Sequence, residues 1–301
     1  MGYPLERVIF LFILVITTYY DVTLGLLVCF IVMVIYLSKD NEFVEGFSLD
    51  DDDCNTIQIP DVNVMTTTDY TAIMVEPRKH PALEFVLQNF TENLNEDWNF
   101  IIYHGKTNEK MLKDIVSRLS ADVQNRITLI NLNVKNLNIK QYSTMFFCPT
   151  FYDNIPTETF LIFQTDSMIL KENKDKINDF FKYDYVGAPW PKTMGRLGKM
   201  EVGNGGLSLR KKSKMVELLQ YKEKAVEHGK FGKYIAEDQF FSGYFVPEVK
   251  VYKPTFIKAK DFSVESIYSN APFGIHKCWI YNGLDKLLLS YPEIKILQKL
   301  Q

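Results

Sequence analysis

Four polar segments sit among apolar residues in the second half of the chain, and each carries residue types that can bind a cation, admit a ligand or move a proton. In Gln164–Ser167 (QTDS) a carboxylate, Asp166, stands at the mouth of an apolar strand. A carboxylate there is costly unless it is paired or coordinates a metal, although alone it serves equally as a turn or N-cap residue. Val202–Arg210 (VGNGGLSLR) places Gly203, Gly205 and Gly206 around Asn204, which permits positive φ and close backbone approach to a ligand, or simply a turn before the next element. It is neither a GxGxxG fingerprint nor a Walker loop, so dinucleotide binding and nucleotide triphosphatase chemistry are unsupported. In AEDQFF the adjacent acids Glu237 and Asp238 open an aromatic segment, where acids ordinarily face a helix dipole. In PFGIHKCW, His276 and Lys277 lie between a glycine and a tryptophan, outside any regular pattern.

Positioning these segments requires a scaffold, and the chain supplies alternating elements. Apolar strands at Thr71 (TAIMV), Asn99 (NFIIYH), Arg126 (RITLINL) and Phe160 (FLIFQTDS) are separated by helical patterns over PALEFVLQNF, NEKMLKDIVSRL and residues 139–152. That alternation predicts an α/β domain with a mostly parallel central sheet flanked by helices. Ligands of such sheets bind beyond the carboxyl ends of the strands, where Glu76, Pro77 and Arg78 leave the first strand and Asp166 leaves the fourth. Both ends are expected to face one crevice.

Composition supports this frame and removes other classes. A hydrophobic content of 47% with 24% charged residues excludes global disorder. The net charge of -3 conceals an acidic block, Asp40–Asp53, with seven acids and no base, leaving 30 of the 37 acids against 34 bases elsewhere. This bias is too weak for a nucleic-acid binder. The four cysteines, Cys29, Cys54, Cys148 and Cys278, have no CxxC or Cys/His metal spacing, so neither a zinc site nor a disulfide scaffold is expected.

The amino-terminal stretch Val8–Leu37 is almost wholly apolar and as a helix would span roughly 45 Å, against a hydrocarbon core of about 30 Å. Asp21 with Tyr19 and Tyr20 divides it, so we expect one span from about Val22 to Ser38 behind an apolar interfacial segment. The run is too long for a cleaved signal peptide, and no small-residue cleavage site follows. Arg7 before the span and the acids after it predict a short cytoplasmic N-terminus with the large domain across the membrane, with Lys39 arguing the other way. The expected organisation is therefore a membrane anchor over 1–38, with contacts to lipid through 8–38, an acidic stem over 39–69 and one folded domain over 70–301.

Taken in order, the four segments resemble the GT-A glycosyltransferases, which share a DxD-type strand end, a glycine loop, an acidic pair and a late metal-binding histidine. More closely, the chain is similar to a family of that superfamily catalogued as a domain of unknown function, through VEPR, FQTDS, YDYVGAPW, VGNGGLSLR, EDQFFS and PFGIHKCW, over about Thr71–Ile280. The resemblance implies a GT-A (Rossmann-like) fold and transfer of a sugar from a nucleotide sugar, a uridine diphosphate sugar first, to a glycan, protein or lipid acceptor. It implies Mn²⁺ or Mg²⁺ held by Asp166 and His276, and donor contacts from Arg78, Gln164, Thr165, Gly203, Asn204, Gly205, Gly206 and Lys277. Asp238 becomes the base of an inverting reaction, with Glu237 raising its pKa, whereas a retaining reaction needs no such base. Gln164 departs from the pattern, since it stands where many relatives carry the first Asp of DxD. That substitution keeps a non-catalytic carbohydrate- or nucleotide-binding protein as the alternative. Asp184 and Trp190 are expected to shape the donor or acceptor pocket, and Arg210–Lys214 to be a solvated helix start. The sequon Asn89-Phe90-Thr91 matters only if the domain faces a lumen. A secretory-pathway or a viral membrane suits the anchor equally.

Overall fold

In the computed structural model, described for residues 54, 57–191, 201–228, 236–281 and 284–301, the expected alternation of strands and helices is realised. The first strand, β1 (Tyr70–Val75), leads into α1 (Leu83–Asn93), then β2 (Trp98–His104), α2 (Glu109–Ser117), the short α3 (Ala121–Gln124) and β3 (Ile127–Asn131). Helix α1 buries Leu83, Val86, Leu87 and Phe90, the spacing of one helical face, against the sheet. Phe90 stacks on Phe163 at 4.0 Å, and burying each such side chain contributes about 1.5–3 kcal/mol. The helix expected over 139–152 is two helices, α4 (Ile139–Phe146) and α5 (Pro149–Asp153). Pro149 removes the N–H that a continuous helix would bond and instead occupies the first turn of α5.

After α5 come β4 (Thr159–Phe163), β5 (Ser167–Ile169), β6 (Tyr185–Gly187) and β7 (Leu207–Lys211). They are followed by α6 (Lys212–Leu219), α7 (Lys222–His228), α8 (Glu237–Phe241), α9 (Phe256–Phe262), β8 (Ser263–Val264), β9 (Gly274–His276), α10 (Asp285–Ser290) and α11 (Ile294–Lys299). The main sheet has the order β3-β2-β1-β4-β7-β6, parallel from β3 to β4, with β7 antiparallel to both its neighbours. Reversal of β7 matters for function, because Phe163 at the end of β4 pairs with Leu207 at the start of β7. The glycine segment before β7 is thereby delivered to the carboxyl end of β4.

A second sheet, β5-β9-β8, does the same for the late histidine. Antiparallel pairing sets Ser167 opposite His276 and Ile169 opposite Gly274. Asn89 of α1 fastens β5 in place: its Nδ2 donates to the Ile169 carbonyl at 2.9 Å and its Oδ1 accepts from the Ile169 N–H at 2.7 Å. The sequon is therefore spent on structure, since a glycan on Asn89 would break a bond that orders the strand beside Asp166, and Thr91 is buried.

Two expectations change around the stem. Cys54 and Cys148 form a disulfide, so the absence of a local cysteine motif misled about pairing across 94 residues of sequence. Ile57 is buried, and Asn154 accepts from the Val62 N–H at 2.7 Å and donates to the Pro60 carbonyl at 2.8 Å, so the end of the stem lies along the domain. The apolar anchor and most of the acidic block lie outside the described residues, among which no helix is long and apolar enough to cross a membrane.

Candidate functional site

The β5–β9 ladder brings Asp166 and His276 together, with Asp166 Oδ1 3.2 Å from His276 Nε2 and the Lys277 N–H donating to the Asp166 carbonyl at 2.8 Å. Lys277 has a left-handed backbone (φ 48°), a tight turn directly after the strand, and its side chain is exposed. Burial by itself would raise the Asp166 pKa, but the imidazole and Lys277 outweigh it and hold the carboxyl below its ordinary value. His276 is balanced the other way: burial would lower it, while Asp166 and Glu265 carry it up to about 9.

Asp166 Oδ1 is buried and faces His276 Nε2 without a well-formed hydrogen bond. A carboxylate oxygen and an imidazole nitrogen so placed fit a cation, since two donors on adjacent ligand positions of one octahedral ion lie about 3 Å apart. Among the described residues no cluster of three or more His, Cys, Asp or Glu side chains is placed to hold a metal. Asp166 and His276 are thus a candidate pair of ligands.

The glycine loop packs directly onto these groups. A Cβ on Gly206 would lie 2.2 Å from His276 Nε2, so only glycine lets the backbone cover the imidazole. A Cβ on Gly205 would meet Glu237 Oε1 at 2.6 Å and Asp238 Cβ at 2.8 Å. Asn204 folds the loop by accepting from the Gly206 N–H at 3.1 Å, and Ser167 donates to the Gly206 carbonyl at 3.0 Å. Gly203 carries the Tyr185 hydroxyl on its carbonyl at 2.7 Å and lies against Trp190, whose indole lines the loop as buried packing.

The two acids of α8 divide. Asp238 accepts from the Gly205 N–H at 3.2 Å, and burial, followed by the charge of Glu237, pushes its carboxyl up to about 7. Glu237, expected beside it to raise its pKa, acts in that direction and is itself paired with Arg210: the guanidinium donates at 2.7 and 3.2 Å to its two oxygens, and both side chains are buried. Arg210 also donates to Ser208 at 2.9 Å and lies over the rings of Tyr185 and Phe146 at 5.0 and 5.3 Å. The expected solvated run at 210–214 therefore begins with a fully buried charge. Its signal was the alternation in LSLR, where Leu207 and Leu209 enter the hydrophobic core and Ser208 and Arg210 take the other face.

The remaining expected residues are distributed as follows. Arg78 forks onto Glu76 at 2.7 and 2.8 Å, half exposed and within the field of Asp166, with two of its guanidinium donors taken by that pair. Gln164 donates its amide to the Tyr142 hydroxyl at 2.9 Å, and the Thr165 carbonyl accepts from Gln301 at 2.9 Å. Asp184 is structural, since its carboxylate accepts from the Tyr252 N–H at 2.8 Å. Sequence reasoning missed His80, whose Nδ1 accepts from the Ala82 N–H at 3.2 Å and whose pKa burial lowers, against the pull of Glu76 and Asp166. An open cleft of about 320 Å³ bordered by Thr66, Thr68, Asn99, Arg126 and Thr128 lies at the amino ends of β2 and β3, away from this constellation.

Comparison with known proteins agrees with the architecture. The galactosyltransferase LgtC, in complex with donor and acceptor sugar analogues, superposes with a TM-score of 0.52 at 12% identity over 76% of this chain and 94% of its own. An active-site mutant of LgtC gives 0.50 at 12% identity, over 76% and 95%. Mouse xyloside xylosyltransferase 1 gives 0.44 at 12% identity, over 74% and 93%. At such identities the likeness to LgtC is one of fold alone. No curated protein matches by sequence. The model of the family described as a protein of unknown function, DUF5672, matches residues 126–276, from the start of β3 through Asp166, the glycine loop and the acidic pair to His276. Half of the chain lies under that model, and the chain belongs to the DUF5672 family.

Proposed function

We propose that this chain transfers a sugar from a nucleotide-sugar donor, a uridine diphosphate sugar first among them, to a glycan, protein or lipid acceptor with the help of Mn²⁺ or Mg²⁺. The observation that carries the reading is the convergence of Asp166, His276, the 203–206 loop and Asp238 at one strand end of a GT-A fold. Asp166 and His276 would hold the cation, which when bound supplies Lewis-acid neutralisation of the diphosphate charge as the glycosidic bond breaks.

The chain's own groups do the rest. Lys277 and Arg78 offer positive charge to the phosphates, and Gln164, Thr165 and the bare backbone of Gly203, Asn204, Gly205 and Gly206 admit the donor at short range. Asp238, poised at about 7, accepts the acceptor hydroxyl's proton if the reaction inverts the anomeric centre. Glu237 contributes through Arg210, which fixes the start of α8 and hence the aim of Asp238. The apolar stretch 8–38 would anchor the domain as a single-pass membrane protein with a short cytoplasmic N-terminus. The Cys54–Cys148 disulfide supports an oxidising side for the domain.

One observation favours a second reading, a GT-A protein that binds donor without turnover. Gln164 replaces an expected carboxylate and its amide is held by Tyr142. Incubating the full chain in detergent with nucleotide sugars and Mn²⁺ separates the two. Slow donor hydrolysis, abolished by Asp166→Ala and by His276→Ala, supports transfer; metal-dependent binding without consumption supports the second reading; binding indifferent to metal and to both substitutions rejects both.

A further inference from the structure

His276 stands between two carboxylates, and only one of them belongs to the site as described so far. On the Nε2 side is Asp166; on the Nδ1 side is Glu265, whose Oε1 lies 3.5 Å from Nδ1. Strand β8 runs parallel to β9 with Ser263 beside Gly274 and Val264 beside Ile275, so the next step of that register carries Glu265 level with His276. Both side chains are more than nine-tenths buried.

Neither group has another way to be satisfied among the described residues. Glu265 Oε2 and His276 Nδ1 are buried without hydrogen-bond partners, and the only ion-pair partner within reach of Glu265 is His276 itself. A buried carboxylate with no cation beside it costs several kcal/mol, so its placement against a single ring nitrogen calls for a reason. The ring has little freedom to turn away, because the Gly206 backbone lies flat against it.

Imidazole that gives Nε2 to a metal must be neutral and carry its proton on Nδ1, and a buried carboxylate facing Nδ1 favours that tautomer. We infer that Glu265 is a positioning residue that keeps the His276 proton on Nδ1, so that Nε2 faces Asp166 as a free donor for a divalent cation. The inference rests on the proposed cation role of Asp166 and His276 and adds to it a residue that touches neither substrate nor metal.

The test uses the full chain in detergent and the metal alone. Mn²⁺ affinity is titrated by calorimetry for wild type, Asp166→Ala, Glu265→Gln and Glu265→Ala, with thermal unfolding of each in the absence of metal. The tautomer of His276 is read from its ring ¹⁵N shifts without metal, at a pH high enough for the ring to be neutral. Loss of a carboxylate behind a metal-binding histidine typically weakens binding 10- to 100-fold. We expect about 10-fold from Glu265→Gln, whose shape is preserved, and up to about 100-fold from Glu265→Ala, with the Nδ1–H tautomer lost from the spectrum. If Glu265→Ala fails to fold, Glu265→Gln carries the test. Wild-type binding matched within twofold by Glu265→Gln, with the same tautomer, overturns the inference and leaves the cation reading intact. Absence of binding by wild type, unaffected by Asp166→Ala, overturns both.

Discussion

Glu237 meets the glycine loop at Gly205, and Asp166 meets the His276 ring that the loop covers at Gly206, yet the surroundings of these two carboxylates are opposite. Glu237 meets a guanidinium that fills both its oxygens, and the pair is walled by Phe146, Tyr185 and Phe241. Asp166 meets an imidazole at contact distance and keeps an oxygen without a hydrogen bond. A satisfied ion pair holds a shape; an unsatisfied oxygen is kept at a cost and invites a ligand. The acid next to Asp238 in sequence is forked by a guanidinium, and the isolated strand-end acid meets only an imidazole.

The largest effect should come from breaking the closed pole. Arg210→Ala leaves Glu237 buried without its cation and is expected to cost about 3–5 kcal/mol in chemical denaturation, whereas Arg210→Met with Glu237→Leu recovers most of it. A single substitution costing under about 1 kcal/mol would erase the distinction between the poles. At the other pole, Asp166→Ala should lower donor turnover about 10²–10³-fold while the melting temperature stays near wild type; His276→Ala should lower both, because it also leaves Glu265 buried without its partner. A fall in melting temperature with turnover retained would reverse the assignment.

A subtler probe is Gly206→Ala, which drives a methyl into the His276 ring and leaves every ionisable group in place. Mn²⁺ affinity measured by calorimetry should fall about tenfold or more, as for other displaced ligands. The smallest effect concerns Asp238, whose carboxyl is raised to about 7 from the ordinary 3.8. A raised acid is stabilising in its protonated form, so its cost grows as pH climbs from about 4 to 7 and is constant above. Asp238→Asn should therefore gain a few degrees of melting temperature over wild type at pH 8 and much less at pH 4. If Asp238 is the base, wild-type transfer rises through pH 7 and levels off, and that rise is missing in the variant.

The fate of particular residues divides what was legible from what was not. Apolar runs such as TAIMV and NFIIYH read correctly as strands because period and side-chain type act within a few residues, and the same holds for the face of α1. The break at Pro149 is equally local, yet a continuous apolar pattern across it hid the change of helix axis. Asn89 looked like an acceptor for a glycan because three residues suffice to make that motif, whereas its role depends on Ile169 in another element. Arg210 looked solvated because three lysines follow it closely; its burial depends on Glu237 and on the direction of β7.

By itself the sequence determined the alternation of elements, hence the α/β class, and the order of the four polar segments, since each follows from short-range periodicity and residue type. Only the tertiary structure decided which acid is paired, which nitrogen of His276 faces which carboxylate, and that Cys54 finds Cys148. Those outcomes depend on strand direction and register, where one reversed strand or one step of slip exchanges every partner, and no local stretch of chain encodes them.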